Sequence, residues 1–261
     1  MEIVVKEDVS AFCRAVAMEV SRQILVRPNS VIGLATGKTT LGIHAELVKV
    51  HEQWEIDYSR VSTFNLDEYV GLDPRDPRSC RARTLAQFLD HVNIRRENIH
   101  VPDGTATSLE QECRDYEEQI ARCAGVDVQI LSLGTNGHIA FNEPGTSFDT
   151  VTRIAPIAEA TIVAKAEQFG SREAVPKEGI TMGIKSIMRS KRILLVASGE
   201  HKAEVITKAL YGPVTTDVPA SVVQLHPCVA VIVDRAASSG IFQAEKQGHS
   251  AGSTSEPRRP E

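Results

Sequence analysis

The stretch Val126–Pro144, VDVQILSLGTNGHIAFNEP, decides the fold. From Val126 to Leu133 it is an almost unbroken apolar run of Val, Ile and Leu, closed by Gly134. So short a run of such residues predicts a strand buried on both faces, as in a parallel sheet. It stops at Thr135-Asn136-Gly137, where Asn-Gly supplies the positive φ of a tight turn. His138, Asn142 and Glu143 follow at once. Open α/β sheets bind ligands at the carboxyl ends of their strands. A titratable imidazole and a carboxylate at that position are therefore candidates for proton transfer. Taken alone, His138 is more simply a structural histidine holding the turn.

Working outward, the same pattern recurs. Upstream, the spacing predicts a short strand at Glu2–Val5 and a helix from Asp8 to about Val26, with Val9, Phe12, Val16, Val20 and Ile24 on one face. Strands follow at Ser30–Ala35 and Val61–Asn65, separated by a helix to about Val50. Helices over Ala82–Val92 and Leu109–Ala124 flank a short strand at Ile99–Val101. Downstream come a helix over Met182–Met188, a strand at Arg192–Ala197, a helix from Glu200 to about Tyr211, a short helix at Ala220–Leu225 and a last strand at Val229–Val233. Alternating strands and helices predict an α/β fold, a parallel sheet with helices on both faces, in one domain over residues 1–236. Between Glu143 and Ile180 the pattern weakens. A long, poorly patterned insertion beside a site predicts a lid over about 145–180. From about Ser238 the chain is rich in Gly, Ser, Pro and charge, so residues 237–261 are expected to be a disordered tail that adds no core.

Composition narrows the function. A net charge of −5 disfavours a nucleic-acid partner. No apolar run is long enough to span a membrane, and the first residues, MEIVVKEDVS, lack a signal-peptide pattern. The five cysteines are scattered and form no Cys-x-x-Cys pair, as expected of reduced thiols rather than a disulfide framework or zinc site. A cytoplasmic enzyme acting on a small molecule is the expectation, and a homo-oligomer is left open.

Three strand-end loops could carry the chemistry. Thr36-Gly37-Lys38-Thr39-Thr40 joins a strand to a helix start, where backbone N–H groups, hydroxyls and an ammonium suit a phosphate. A Thr-capped helix start explains the same residues equally well. The P-loop pattern fails, because Ile32 stands where its first glycine belongs. In Asn65-Leu66-Asp67-Glu68-Tyr69 adjacent carboxylates sit at a strand end. They point different ways, so one can be a base while the other is structural. The third loop carries His138 and Glu143. No Cys/His cluster suggests a metal, and no Gly-x-Ser-x-Gly elbow appears. A phosphate cradle, a carboxylate base and a His–carboxylate pair together indicate proton transfer on a phosphorylated sugar.

STFNLDEYVGL (Ser62–Leu72) and GTNGHIAFNEPG (Gly134–Gly145) together resemble the glucosamine-6-phosphate deaminase family. LATGKTT (Leu34–Thr40), ITMGI (Ile180–Ile184) and SGEHKAE (Ser198–Glu204) match in order. The resemblance implies a modified Rossmann-like fold and a cofactor-free aldose–ketose isomerisation with deamination. By the same resemblance Asp67 matches the base that removes the C2 proton, His138 the group that assists ring opening, and Glu143 its carboxylate partner. Asn136 stands where many members have Asp. Thr36, Gly37, Lys38 and Thr39 match the phosphate loop, and Lys202 matches a phosphate-binding lysine. Three departures stand out: Cys80 occupies a usual Tyr position, Glu167 that of a lid Arg, and Ala155 that of a Lys in the allosterically activated members. Cys80 and Glu167 resemble more the branch acting on galactosamine 6-phosphate. A non-enzymatic sugar-phosphate sensor and a phosphosugar lactonase share the fold. The first typically carries a DNA-binding segment ahead of it, and the second needs no C2 base.

Overall fold

The computed structural model describes residues 1–246. Its elements in chain order are β1 (Glu2–Lys6), α1 (Val9–Val26), β2 (Val31–Leu34), α2 (Lys38–Trp54), β3 (Ser62–Asn65), β4 (Asp67–Tyr69), α3 (Cys80–Gln87), β5 (Ile99–His100) and α4 (Leu109–Arg122). Then come β6 (Val128–Ser132), β7 (Arg153–Pro156), α5 (Glu159–Phe169), β8 (Glu178–Thr181), α6 (Ile184–Met188), β9 (Arg192–Ala197), α7 (Ala203–Tyr211), β10 (Val229–Asp234) and α8 (Ser239–Lys246).

The main sheet has seven strands in the order β1-β10-β9-β6-β2-β3-β5, every pair parallel. The quoted apolar run is its central strand, and Val128 to Leu131 are all buried. Helices cover both faces. On one side Phe12, Val16, Val20 and Ile24 of α1 pack with Ile43 and Leu47 of α2 against Ile32, Ile130 and Leu194. Val9, predicted on that face, lies in the first turn of α1 and is exposed. On the other side Tyr116 of α4, Ile206 and Leu210 of α7 and Ile241 of α8 cover Leu131, Leu195 and Val231. From β2 the chain winds outward through β3 and β5, then returns to β6 and winds the other way through β9 and β10. The order therefore reverses between β2 and β6. In open sheets the ligand crevice forms at that reversal, beyond the strands' carboxyl ends.

Several expectations are corrected here. Asp67–Tyr69 is not a loop: it is β4, pairing antiparallel with β8, Asp67 opposite Thr181 and Tyr69 opposite Gly179. β8 also pairs with β7, making a second sheet in the order β4-β8-β7. The weakly patterned region 145–180 thus holds two strands and the helix α5. Its Ile157, Ile162 and Phe169 join Tyr69, Cys80 and Phe141 in a third apolar cluster. The helix expected over Ala82–Val92 ends at Gln87, where Phe88 leaves helical geometry at φ −147°, ψ −64°. Finally, residues just past Ser238 are not a coreless tail. They form α8, with Ile241 1% exposed, and the rest of the expected tail lies outside the described residues.

Candidate active site

The loop after β6 builds a compact acid–base unit. Gly134 N–H donates to the His138 carbonyl at 2.9 Å and Gly137 takes φ 88°, so the chain reverses within a few residues. Gly134 is required there, since a Cβ would collide with the His138 ring. Ala140 holds φ 52°, the left-handed region that costs a non-glycine residue energy and that clusters at functional sites. Buried Asn142 anchors the turn, its amide donating to the Ile139 and Met182 carbonyls at 3.0 and 2.9 Å. His138 Nδ1 stands 3.2 Å from Glu143 Oε2. Asn136 Nδ2 donates to the same oxygen at 2.8 Å, and its Oδ1 accepts the His138 N–H at 3.2 Å. Thr161 of α5 donates to Glu143 Oε1 at 2.6 Å. Burial by itself would raise the Glu143 carboxyl, but the hydrogen bonds from His138, Thr161 and Asn136 and the imidazole charge hold it at about 2. A charged carboxylate is thus fixed against the ring and orients it.

The adjacent carboxylates of β4 divide their roles. Glu68 is 2% exposed and accepts from the N–H groups of Tyr69, Cys80 and Arg81 at 2.8, 3.0 and 2.8 Å. With Ser79, whose Oγ accepts the Ala82 N–H at 3.0 Å, it satisfies the first turn of α3. Glu68 is structural. Asp67 instead accepts, among the described residues, only from the Cys80 thiol, at 3.3 Å, and keeps its other oxygen available. Burial raises its carboxyl above the ordinary range, opposed by Cys80, Lys165, His138 and Arg83. Burial, with the charges of Asp67 and Glu68, drives the Cys80 thiol well up, so it stays a donor.

At the reversal, Gly37 is an extended N-cap and α2 begins at Lys38. A Cβ on Gly37 would meet nothing, so the space above its amide is open. The Gly37 N–H itself is taken, donating to Thr40 Oγ1 at 2.9 Å. Thr36 Oγ1 lies 2.9 Å from Thr84 Oγ1, so this expected phosphate hydroxyl is held toward α3. Thr39 is half-buried and Lys38 fully exposed, the latter reaching Glu167 at 3.2 Å. Lys202, in the turn between β9 and α7, lays its ammonium on the Leu133 carbonyl at 2.8 Å, across the end of β6. Burial, then the Lys165 charge, lowers it to about 8. Thr161, Arg83 and Lys165 were not singled out as site residues from sequence. Of these only Lys165 had a signal, as a cation near the missing lid arginine. Among the described residues no cluster of His, Cys, Asp and Glu is arranged to hold a metal ion, and no helix is long and apolar enough to cross a membrane.

Comparison with known proteins shows the family. The family model for glucosamine-6-phosphate isomerases/6-phosphogluconolactonase matches residues 5–231, and the chain belongs to that family. It is 46% identical to a glucosamine-6-phosphate deaminase of Thermoanaerobacter pseudethanolicus, over 92% of this chain and 94% of that one. Against the deaminase of Lachnoclostridium phytofermentans the identity is 45%, over 89% and 98%. A monomeric glucosamine-6-phosphate deaminase of solved structure superposes with a TM-score of 0.90 at 39% identity, over 92% of this chain and all (100%) of that one. A 6-phosphogluconolactonase from Thermotoga maritima, at 21% identity, TM-score 0.70 and 90% and 99% coverage, shares the fold alone.

Proposed function

We propose that this chain is an enzyme that converts glucosamine 6-phosphate to fructose 6-phosphate and ammonia. The observation that carries the reading is the pairing of a desolvated carboxyl, Asp67, with the His138–Glu143 unit beside it. The imidazole charge is felt at Asp67, so the two proton-handling centres are neighbours. Near-full-length identity to proteins named for this activity supports it.

In this reading the phosphate sits at the start of α2 with Lys38 and Lys202, which fixes the sugar's far end. His138, backed by Glu143 and Asn136, carries a proton from the O1 hydroxyl to the ring oxygen, which opens the ring. Asp67 then removes the C2 proton, giving an enediol-type intermediate. Return of a proton to C1 leaves a C2 imine, and water converts that to the ketone and ammonia. Desolvation, which raises the basicity of Asp67, suits it to a carbon-bound proton. A cytoplasmic location goes with the reading, supported by five cysteines that are all free.

The test is ammonia release from glucosamine 6-phosphate and galactosamine 6-phosphate side by side, with Asp67→Asn as control. Turnover of the first sugar, reduced at least about a hundredfold in the variant, is expected of a general base. Preference for the second sugar would move the assignment to the C4 epimer. Silence on both from a folded protein would overturn it.

A further inference from the structure

Resting on that reading, we infer that Lys165 of α5 is a third phosphate-binding lysine, reaching from the small sheet's side of the site to the anion held by Lys38 and Lys202. The observation is a cation without an anion. Lys165 is half-buried, yet among the described residues it forms neither a hydrogen bond nor an ion pair. Every other lysine or arginine close to it is also positive and free of a contacting carboxylate, save Lys38. Burial lowers the Lys165 ammonium. Arg83 and Lys38 push the same way, while Cys80 and Asp67 oppose them. Its charge in turn depresses Lys202. Lys165 shares one face of α5 with Thr161, which donates to Glu143, and with Gln168, which accepts from Arg83 at 3.3 Å, so it stands between the His138–Glu143 unit and Arg83, and among the described residues no carboxylate contacts it.

Half-buried ammonium groups that repel one another raise the energy of the empty site unless an anion enters. A phosphate dianion has the charge and enough acceptor oxygens to pair with several at once. Of the other basic side chains in 145–180, Arg153 is engaged by Asn142 Oδ1 at 2.7 Å, and the one on the turn after α5 does not compete for the role. Arg172 lies outward, 2.7 Å from Glu159, with both side chains more than half exposed. Nor does Glu167 supply the missing anion, since it faces Lys38 through a pair whose side chains are 86% and 85% exposed. So open a pair is weak, and phosphate would displace it.

The experiment titrates inorganic phosphate by calorimetry into the unaltered chain and into Lys165→Met, Lys165→Arg and Arg172→Ala, and measures KM and kcat for glucosamine 6-phosphate in each. Loss of one charge-assisted contact predicts phosphate affinity about tenfold weaker in Lys165→Met, with KM raised to match and kcat little changed. Lys165→Arg keeps most of the affinity, and Arg172→Ala is unchanged. Removing the like charge also moves the pH at which Lys202 loses its proton upward, a shift that a packing role for Lys165 would not cause. Should Lys165→Met not fold, Lys165→Gln is read in the same way. Unchanged phosphate affinity would overturn the inference. So would a fall in kcat alone, which would put the charge at the reacting carbons. Phosphate binding is scored without turnover, so an inactive parent chain would sink the proposed reaction and leave this test standing.

Discussion

At the scale of the residue, the site works by giving neighbouring carboxyls opposite surroundings. Glu143 is held ionised by three donors, Asp67 is made more basic by burial, and Glu68 is consumed by backbone amides. The Cys80 thiol donates to Asp67, and a donor to the charged form lowers basicity. Cys80→Ala therefore raises the Asp67 carboxyl further. On the proposed mechanism the working form is the carboxylate, so the acid limb of kcat/KM moves to higher pH, while Cys80→Ser leaves it in place or lowers it. Identical pH profiles for all three proteins would rule this out. On the same proposal Lys202 sets the other limb. With its ammonium held at about 8, the cation is present below that pH and lost above it. KM is expected to climb as pH passes through 8. Phosphate binding near that pH should draw in a proton, seen as a binding heat that varies with the buffer's ionisation enthalpy.

At the scale of the element, α5 is the piece that ties the lid segment to the chemistry. It brings Thr161 to Glu143, Lys165 to the cation cluster and Glu167 to Lys38. Thr161→Val keeps the shape and deletes the 2.6 Å bond to the carboxylate. A hydrogen bond to a charged group is worth about 1.5–3 kcal/mol, so kcat/KM should drop about tenfold or more, with phosphate affinity unaltered. An unaffected kcat/KM would show that Asn136 alone orients Glu143. This element is also where the sequence was least legible. The seven-stranded sheet was readable because its buried strands are continuous apolar runs such as Arg192–Ala197 and Val229–Val233. β4, β7 and β8 have only three or four residues each, with Asp67, Arg153 and Glu178 among them. Their pairing comes from tertiary contact rather than from any period in the chain. Asp67, His138 and Glu143 stood out as chemistry at strand ends. Thr161 did not, because nothing local distinguishes a hydroxyl that meets a carboxylate 18 residues away.

At the scale of the molecule, the two halves of the sheet meet at the site, and the chain's far end helps to hold one of them. The expected tail began too early because Gly240, Ser239 and the charges near them mimic a linker's composition. What composition hides is a close helix contact. A Cβ on Gly240 would run into Thr207 and lie 3.2 Å from the Ala203 carbonyl, so only glycine lets α8 settle on α7. That approach seats Ile241, 1% exposed, in the cluster with Val205, Ile206 and Val233. α7 follows directly on Lys202, so α8 braces the element next to the lysine proposed to bind phosphate. Deleting a buried Ile side chain to Ala costs about 2–5 kcal/mol. For a chain of this size Ile241→Ala should lower Tm by about 5–15 °C. Gly240→Ala, which adds one methyl at the contact, should destabilise in the same direction. Phe242→Ala, altering an exposed side chain of the same helix, should change Tm by less than either. Equal, small effects from all three would mean that α8 leaves the domain in solution without consequence. A large effect from Ile241→Ala with KM preserved would separate the brace from the binding site, whereas a KM that rises with the loss of stability would tie α8 to the placement of Lys202.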